Sequence, residues 1–310
     1  MLNTSKNVEK KGHGCKQNEW MYQCAIDAIE RFTANVIIIE NAPALYTTKG
    51  EKVADDLTKI AKDRDYSISF YKTSTEFHGI PQRRIRTFAL LWKCDTAPVM
   101  EYYKRESLNF KEFLNTVSKD ALQFDEIINP KLLDDVYFNY IKHKFNTDPR
   151  EVVTTTTCFN FINTNNLLAD CLEWATENGF KTRLIEHAMK KFSDGLGIWD
   201  GSVHIAKDKI ASVIGRNMHD TIHPSENRSL NIREAISLMG MPEDFILLNP
   251  KKFYQIAQNV PSCTARDITL EAIKFLNGEL QDSGSRVIKQ DNIKERIDYI
   301  EEVPFHPLDI

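Results

Sequence analysis

The chain has 310 residues, 42% hydrophobic and 27% charged, which suffices for one large domain or two smaller ones, and its formal net charge is −4. No apolar run reaches membrane-spanning length, and the polar, lysine-rich amino terminus lacks the hydrophobic region of a signal peptide, so we expect a soluble, cytoplasmic protein without membrane contact. The negative charge argues against indiscriminate nucleic-acid binding, although a locally basic cleft is compatible with it.

The first part of the chain predicts helices that alternate with short strands. From Asn18 to Phe32 apolar residues recur at steps of three and four, which is typical of an amphipathic helix, and an apolar strand follows over Val36–Ile39. The helical pattern recurs over Glu51–Arg64, and Tyr66–Tyr71 then alternates like a strand. This order indicates a parallel α/β sheet, in which ligands bind at the carboxyl ends of the strands.

The regular alternation ends after the apolar run Thr87–Trp92. The residues from about 94 to 222 are less orderly and contain an acidic, aromatic stretch, a β-prone stretch, a helix-like stretch and a glycine-punctuated stretch, at Leu132–Tyr140, Val152–Phe161, Leu167–Asn178 and Gly195–Gly201. This segment is interpreted as an inserted smaller domain.

Helical periodicity resumes in the last third of the chain, over Asn231–Met239 and Ser262–Leu276. In the second of these helices we expect one apolar face, formed by Ala265, Ile268, Ala272, Ile273 and Leu276. The residues beyond Gly278 are polar and charged, which predicts a mobile end or a peripheral helix.

Two segments carry the residues with the clearest chemical potential. The run Val36–Ala42 delivers a carboxylate and an amide at the end of a strand, and the run Gly79–Arg86 delivers fixed positive charge just before another apolar run. Together they suggest a pocket for an anionic, hydrogen-bonding ligand such as a nucleotide.

The order, spacing and flanks of these segments resemble the C5-cytosine DNA methyltransferases. The ENV motif of that family corresponds to Glu40-Asn41-Ala42, and its QxRxR motif corresponds to Gln82, Arg84 and Arg86. Taken alone, the first motif fits a strand-end turn and the second fits a solvated loop. Their occurrence in family order favours the resemblance.

A late segment extends the match. Residues Arg228–Phe245 resemble the RxLTxREAxRLxGFPxxF segment of the family at most positions, which is more specific than a single short motif. The resemblance implies that Arg228 and Arg233 bind DNA, whereas Arg233-Glu234 taken alone fits an ion pair on a helix surface.

The loop Phe253–Pro261 corresponds to the family segment YxQIGNxVP, but it departs from the pattern. Ala257-Gln258 replaces Gly-Asn, and Asn259 follows one place later. Because alanine does not adopt positive φ as cheaply as glycine, we expect a reshaped loop. The resemblance implies that Gln258, Asn259 and Val260 border a pocket for S-adenosylmethionine.

The resemblance also implies a reaction. A cysteine thiolate adds to C6 of a cytosine flipped out of the duplex, C5 takes a methyl group from S-adenosylmethionine, and C5 then loses its proton. A buried Glu40 with a raised pKa would stabilise the charge that develops at N3 of the ring. Arg86 would hold O2 of the base or a phosphate, and Arg84 would bind the DNA backbone. Asn41 would hold the loop or the base. Gln82 is implied as a further residue that binds the substrate DNA.

Two motifs of the family are absent: the glycine-containing turn that binds S-adenosylmethionine, and the Pro-Cys nucleophile. Cys15 precedes Glu40 by only 25 residues and lacks the preceding proline, so we do not assign it as the nucleophile. Leu2–Ser5 instead resembles the sequence just after that motif. The remaining cysteines show no paired spacing, so neither a disulfide framework nor a metal site is predicted.

We therefore predict the carboxyl-terminal portion of a DNA cytosine-5 methyltransferase with a partial Rossmann-like α/β sheet. The predicted domains are a partial catalytic domain over 1–93, a target-recognition domain over 94–224, the rest of the catalytic domain over 225–280 and a polar tail over 281–310. Ile214–Asn217 resembles the closing edge of the recognition domain.

Two partners are implied: double-stranded DNA, and an amino-terminal half supplied as a separate polypeptide. That half would contribute the nucleophile and much of the cofactor site, and it would bind the exposed sheet edge. Such a split or truncated enzyme would serve restriction-modification or phage self-protection. The alternatives are a catalytically inactive DNA-binding remnant and, third, an RNA methyltransferase of the same family.

Overall fold

The computed structural model describes residues 16–194, 203–205, 219–249 and 258–302. In chain order, the α-helices are α1 (Lys16–Glu30), α2 (Glu51–Lys62), α3 (Phe110–Thr116), α4 (Val136–Phe145), α5 (Pro149–Val152), α6 (Cys158–Thr164), α7 (Leu168–Glu177), α8 (Arg183–Ser193), α9 (Ile232–Leu238) and α10 (Ser262–Leu276). The strands are β1 (Val36–Asn41), β2 (Ser67–Ser74), β3 (Ile85–Trp92), β4 (Pro98–Val99), β5 (His204–Ile205), β6 (Thr221–Ile222), β7 (Gln281–Asp282), β8 (Ser285–Asp291) and β9 (Arg296–Glu302).

These elements form two compact units. Unit 1 comprises the described residues of 1–79, 84–106 and 263–310, and unit 2 comprises those of 80–83 and 107–262. The unit boundaries at 106 and 262 differ from the boundaries at 93 and 224 predicted for the functional domains, which stay predictions.

Unit 1 contains a five-stranded sheet in the order β1-β3-β2-β8-β9. Strand β3 runs antiparallel to both β1 and β2, so the expectation of a parallel sheet is wrong for this strand. The physical reason is the connection between β2 and β3: it contains only a short 3-10 turn, and a parallel connection needs a longer crossover that usually contains a helix. The α/β class is confirmed, with a mixed sheet.

The predicted helices and strands of unit 1 are present, with ends shifted by a few residues. Helix α2 buries Val53, Leu57 and Ala61 on one face. Strand β3 is apolar along most of its length because it lies between β1 and β2 in the sheet and is buried from Thr87 to Trp92. The buried residues of α2, β2 and β3 share one core, which positions the ends of β1 and β3.

The prediction for the residues beyond Gly278 is wrong over the part that the structure describes, which ends at residue 302. Instead of a mobile end or a peripheral helix, residues Ser285–Glu302 form the hairpin β8–β9, and β8 pairs in parallel with β2. The hairpin is polar in sequence, yet Ser285, Gln290 and Asp291 are buried because their side chains make hydrogen bonds. The polar sequence of this hairpin therefore led to a wrong prediction that its residues are exposed.

Helix α10 also differs from its prediction. Of the expected apolar face only Ile268 is fully buried, whereas Ile273 and Leu276 are exposed. The face turned to the core instead carries Asp267 and Glu271, which are completely buried and hydrogen-bonded. The two carboxylates are tolerated in the core because Arg105 pairs with Asp267 and Lys274 pairs with Glu271.

Unit 2 is mainly helical in its described part. Its core combines apolar residues of α4, α6, α7 and α8. The helix-like stretch at 167–178 is confirmed by α7, but the β-prone stretch Val152–Phe161 is wrong, because it holds the end of α5 and the start of α6. Asp148 and Thr157 cap these two short helices through their side chains. Gly195–Gly201 and Ile214–Asn217 lie outside the described residues.

Candidate functional site

The carboxylate of the first motif lies at the carboxyl end of β1, as predicted. Glu40 and Asn41 are the last two residues of this strand, opposite Phe88 and Thr87 of β3. The Glu40 side chain is 34% exposed. The buried position expected for it is therefore not observed.

Glu40 and Arg86 form an ion pair in unit 1. Arg86 Nε lies 2.7 Å from Glu40 Oε1, and Arg86 Nη1 donates to the carbonyl oxygen of Ile85 at 2.8 Å. The antiparallel register explains the contact. Since Glu40 lies opposite Phe88, Arg86 is its diagonal neighbour on the same face of the sheet, at a Cβ separation of about 7 Å that long side chains bridge.

Arg84 lies just before β3 and is 1% exposed. Burial lowers the pKa of its guanidinium to about 10, with a further lowering by Arg86 and an opposing effect of Glu40. Arg84 therefore remains charged at neutral pH. Burial also lowers the pKa of Arg86, against the effect of Glu40. Two guanidinium groups and one carboxylate leave this end of β1 and β3 net positive, which suits an anionic or carbonyl-bearing ligand.

Asn41 fixes the turn that follows β1. Its Oδ1 accepts a hydrogen bond from the backbone N–H of Ala42 at 2.7 Å, and its Nδ2 contacts Met21 Sδ at 3.8 Å. Asn41 was predicted to hold either the loop or the base, and its hydrogen bond with Ala42 favours the role in the loop.

Gln82 belongs to unit 2, where it is completely buried. Its Nε2 donates to the carbonyl oxygen of Leu238 at 2.6 Å and lies 3.7 Å from Met239 Sδ. The side chain thus closes the carboxyl end of α9, where helix carbonyls lack intrahelical partners.

Arg228 is a structural partner of α9 in the described contacts. Its guanidinium makes a bidentate pair with Glu234, at 2.9 and 2.7 Å, and its Nε contacts Glu226 at 2.7 Å. Burial alone would lower the pKa of Arg228, but these hydrogen bonds raise it above its usual value. Glu234 in turn completes a capping box with Asn231, so Arg228 anchors the start of α9.

Arg233 is 1% exposed and its guanidinium is directed at backbone carbonyls. It donates to Leu122 at 2.9 Å, to Pro242 at 3.3 Å and to Phe245 at 2.7 Å. The simple interpretation as a helix-surface ion pair with Glu234 is wrong, because both residues are buried and Glu234 pairs with Arg228. A DNA contact by Arg228 or Arg233 stays a prediction, and it would compete with these bonds.

Gln258, Asn259 and Val260 lie just before α10. The first two are exposed and Val260 is half-buried, and Ala257 lies outside the described residues. Over the described ranges, no group of three His, Cys, Asp or Glu side chains is arranged to hold a metal ion. Nor is any helix there long and apolar enough to cross a membrane.

The sequence interpretation missed a buried polar cluster in unit 1. His78 precedes the second motif and contacts Asp267 of α10 at 2.9 Å and Thr73 of β2 at 2.8 Å. His78 lies directly before Gly79, where the second motif segment begins, and this position could have identified it as a residue near the site. No such pattern identifies Asp267, because it lies within a helix predicted from its apolar residues.

Comparison with known proteins identifies the family. The model of the family described as C-5 cytosine-specific DNA methylase matches residues 4–274. The chain belongs to this family. The match includes both motifs and α9, and it ends before the hairpin β8–β9.

Two curated relatives of this methylase-family chain are type II methyltransferases by name. M.Bpa9945I of Bacillus paralicheniformis is 22% identical over 303 residues, covering 87% of the chain and 66% of the relative. A Methanocaldococcus jannaschii protein, assigned as the type II methyltransferase M.MJ0563P, is 22% identical over 258 residues and covers 81% and 66%. The chain thus spans 66% of the length of each relative.

Among solved structures, a prophage-encoded E. coli protein assigned as a DNA modification methyltransferase has a similar fold. The TM-score is 0.50 at 13% identity, and the alignment covers 84% of this chain and 75% of the other. This similarity shows the methyltransferase fold of the methylase-family chain.

Proposed function

We propose that this chain is part of a DNA cytosine-5 methyltransferase, which transfers a methyl group from S-adenosylmethionine to C5 of a flipped cytosine in double-stranded DNA. The observation that carries the proposal is the ion pair of Glu40 with Arg86 at the end of β1, beside the buried charge of Arg84. Family membership supports the reaction class, and the names of the relatives support a role in DNA modification within a restriction-modification system or in phage self-protection.

The residues of this chain would act on the pyrimidine ring. Addition of a thiolate to C6 places negative charge on N3 and O2. Glu40 would take up a proton from water when the base binds and would donate it to N3, which neutralises this charge. Arg86 lies on the same face of the sheet and would hold O2 or a phosphate, while it keeps the Glu40 carboxylate in place. Arg84 would attract a phosphate group of the DNA backbone through its buried positive charge. After methyl transfer, a water molecule would take the C5 proton as the thiolate leaves C6, and N3 would return its proton to Glu40, which restores the aromatic ring.

S-Adenosylmethionine would supply the methyl group when bound. The described residues implied in its site are Gln258 and Asn259, which are exposed, and Val260, which is half-buried. We therefore assign no step to them beyond a contact at the rim of the site.

The nucleophile is also proposed to come from further polypeptide. Burial raises the pKa of the thiols of Cys94 and Cys263, and it raises that of Cys171 to about 12. A thiol of raised pKa is a poor source of thiolate at neutral pH. Cys15, which we do not assign as the nucleophile, lies outside the described residues.

The proposed partner is an amino-terminal methyltransferase polypeptide; the chain itself spans 66% of the length of each curated relative. Strand β1 is the end strand of the sheet order and carries Ile38, which is 38% exposed. Trp20 and Phe32, on and just after α1, are 66% and 76% exposed. A strand that paired in parallel with β1 would end at the same edge as Glu40, where the nucleophile is needed.

The test is reconstitution of the full chain with candidate amino-terminal polypeptides and detection of 5-methylcytosine in duplex DNA by mass spectrometry. Glu40→Gln should lower the turnover number at least about 100-fold while duplex binding persists. The matched control is Glu30→Gln, since Glu30 pairs with Arg64 at 2.7 Å on the surface of the same unit. Near-normal methylation by the Glu40 variant would sink the assignment.

Docking can be tested separately with Phe32→Asp, which should abolish co-purification with the amino-terminal polypeptide. Phe145→Asp, at a residue 41% exposed in unit 2, is the matched control. Equal co-purification of both variants would contradict docking of the amino-terminal polypeptide at Phe32.

A second candidate is a DNA-binding subunit or remnant without chemistry. The replacement of the family's Gly-Asn by Ala257-Gln258, in the loop implied to border the cofactor, favours it. Duplex binding without methyl transfer, even with every candidate amino-terminal polypeptide present, would support this function over the enzyme.

A further inference from the structure

An unbroken line of hydrogen bonds runs through the interior of unit 1. Asn292 Nδ2 lies 3.0 Å from Thr73 Oγ1, Thr73 Oγ1 lies 2.8 Å from His78 Nε2, and His78 Nδ1 lies 2.9 Å from Asp267 Oδ2. The four residues are at most 1% exposed. Thr73 belongs to β2, His78 lies in the loop after β2, Asp267 belongs to α10, and Asn292 directly follows β8.

The chemistry of the groups decides the direction of each bond. The Asn292 amide nitrogen only donates, so Thr73 Oγ1 accepts from it and keeps its own proton to donate to His78 Nε2. The Asp267 carboxylate accepts, so His78 carries its proton on Nδ1. The line is therefore consistent with one neutral tautomer of His78, in which both ring nitrogens are satisfied.

Asp267 is held as a carboxylate by three further donors. Arg105 contacts it through Nε and Nη2 at 2.9 and 3.0 Å, and Arg266 Nε lies at 3.1 Å. Burial would raise the pKa of Asp267, but hydrogen bonds from Arg105, His78 and Arg266 hold it below its usual value. A buried carboxylate with this many donors is a rigid anchor for the imidazole ring.

The anchored histidine fixes the loop that leads to the arginines. His78 ends the 3-10 turn Thr75–Phe77, and its backbone N–H donates to the carbonyl oxygen of Thr75 at 2.9 Å. The next residue is Gly79, whose φ of +92° a side chain would disfavour. At the other end of the loop, Thr75 N–H donates to Arg84 carbonyl at 3.2 Å. The turn thus connects the buried line directly to the start of β3.

We propose that Thr73, His78, Asp267 and Asn292 are positioning residues that fix the loop between β2 and β3 and thereby set the orientation of Arg84 and Arg86. Asn292 lies beyond residue 274, where the family match ends, so the hairpin β8–β9 contributes to the site although it is not part of the matched region. As a role in catalysis, this inference rests on the proposed methyltransferase function. As a statement about loop geometry, it stands by itself.

The first test is the protonation pattern of His78 in the full chain labelled with ring-15N histidine. The chain has eight histidines, and loss of one signal pair in His78→Asn assigns the resonances. We expect a protonated Nδ1 and an unprotonated Nε2 at neutral pH. An Nε2-protonated tautomer would overturn the proposed line.

The second test is amide hydrogen exchange of residues 75–86. Thr73→Val removes the hydroxyl without changing the side-chain shape, and it should accelerate exchange about fivefold to tenfold. Thr73→Ser keeps the hydroxyl and should show the wild-type exchange rate. His78→Asn keeps the donor to Asp267 but loses the acceptor for Thr73, and His78→Gln keeps the acceptor but loses the donor, so each should show a partial effect. His187→Asn, at an exposed residue of α8, is the matched control.

The two proposals fail in different ways. If the wild-type chain with its partner neither binds DNA nor methylates it, the proposed function fails, yet the NMR and exchange results still decide the loop geometry. If methylation occurs and Thr73→Val lowers the turnover number with an unchanged KM for DNA, and Thr73→Ser restores it, the positioning role is supported. Exchange rates and turnover that are the same in Thr73→Val, His78→Asn and wild type would overturn it.

Discussion

Arg86 Nε lies 2.7 Å from Glu40 Oε1, and this contact joins two side chains that stand 46 residues apart in the sequence. The pair is only partly buried, with exposed fractions of 17% and 34%. Pairs of this kind contribute little to folding, so the contact matters mainly for the geometry of the site.

Arg86→Gln should therefore separate function from stability. We expect the free energy of unfolding to change by less than about 1 kcal/mol, because the lost ion pair is partly solvated. In the reconstituted enzyme, methyl transfer should fall at least about 100-fold, since the group that faces the developing charge is removed. Arg64→Gln, which breaks a similar surface pair in unit 1, should leave methyl transfer unchanged. Equal turnover of both variants would argue against a role of Arg86 in the reaction.

Arg233→Lys should destabilise unit 2 even though the charge is kept. A lysine cannot reach the three carbonyl oxygens that the guanidinium now contacts, so at least one buried acceptor loses its donor. We expect a loss of about 2 to 4 kcal/mol in urea unfolding. Arg183→Lys, at an exposed position of α8, should stay within about 0.5 kcal/mol of the wild type. A neutral effect of Arg233→Lys would mean that these contacts are dispensable.

The capping boxes of α3 and α9 offer a matched comparison. Both helices begin with an asparagine followed three residues later by a glutamate, but Glu112 is exposed and Glu234 is 1% exposed and paired with Arg228. Glu234→Gln should cost about 1 to 3 kcal/mol, because it removes the buried carboxylate that makes two hydrogen bonds with Arg228 and leaves Arg228 paired with the exposed Glu226 alone. Glu112→Gln should change stability by less than about 0.5 kcal/mol, as measured by thermal unfolding. Similar losses in both variants would show that the buried pair adds nothing beyond the cap.

His78 should make stability depend on pH. Burial lowers its pKa below the ordinary value of 6.5, against the raising effect of Asp267 and with a lowering effect of Arg105 and Arg266. Below pH 6.5 the unfolded chain thus binds more protons at this residue than the folded chain, so stability falls as the pH drops from 6.5 toward the folded pKa.

The check is the slope of unfolding free energy against pH between neutrality and that lower pKa. His78→Gln should reduce the slope by at most about 1.4 kcal/mol per pH unit. Burial also lowers the pKa of His204 and His223, so part of the slope should remain. The exposed-residue variant His187→Gln should keep the wild-type slope. A slope that is unaffected by His78→Gln would mean that His78 is not buried in its neutral form.

The sequence predicted most of unit 1 because its strands and helices have simple apolar patterns. It placed Glu40 at the end of β1, but it gave the wrong direction for β3, and that direction is what brings Arg86 diagonally opposite Glu40. Local patterns report which residues form a strand. They do not report which neighbour a strand pairs with or in what sense.

Buried polar groups account for most of the remaining errors. Asp267 and Glu271 lie on the core face of α10, and Gln290 and Asp291 lie in a hairpin that was expected to be peripheral. An apolar-periodicity argument assigns such residues to the surface because their partners are distant in sequence. Asp267, for example, is satisfied by His78 and Arg105, more than 160 residues away.

The parallel pairing of β2 with β8 also bears on the order in which the protein folds during synthesis. Lys72 and Asp291 form an ion pair across this junction at a separation of 219 residues, and the whole 107–262 stretch of unit 2 lies between them. Unit 2 can therefore fold on the ribosome while the sheet of unit 1 is still incomplete. The segment that carries Arg84 and Arg86 is translated early, but it gains the support of Asn292 only when nearly the whole chain has been made.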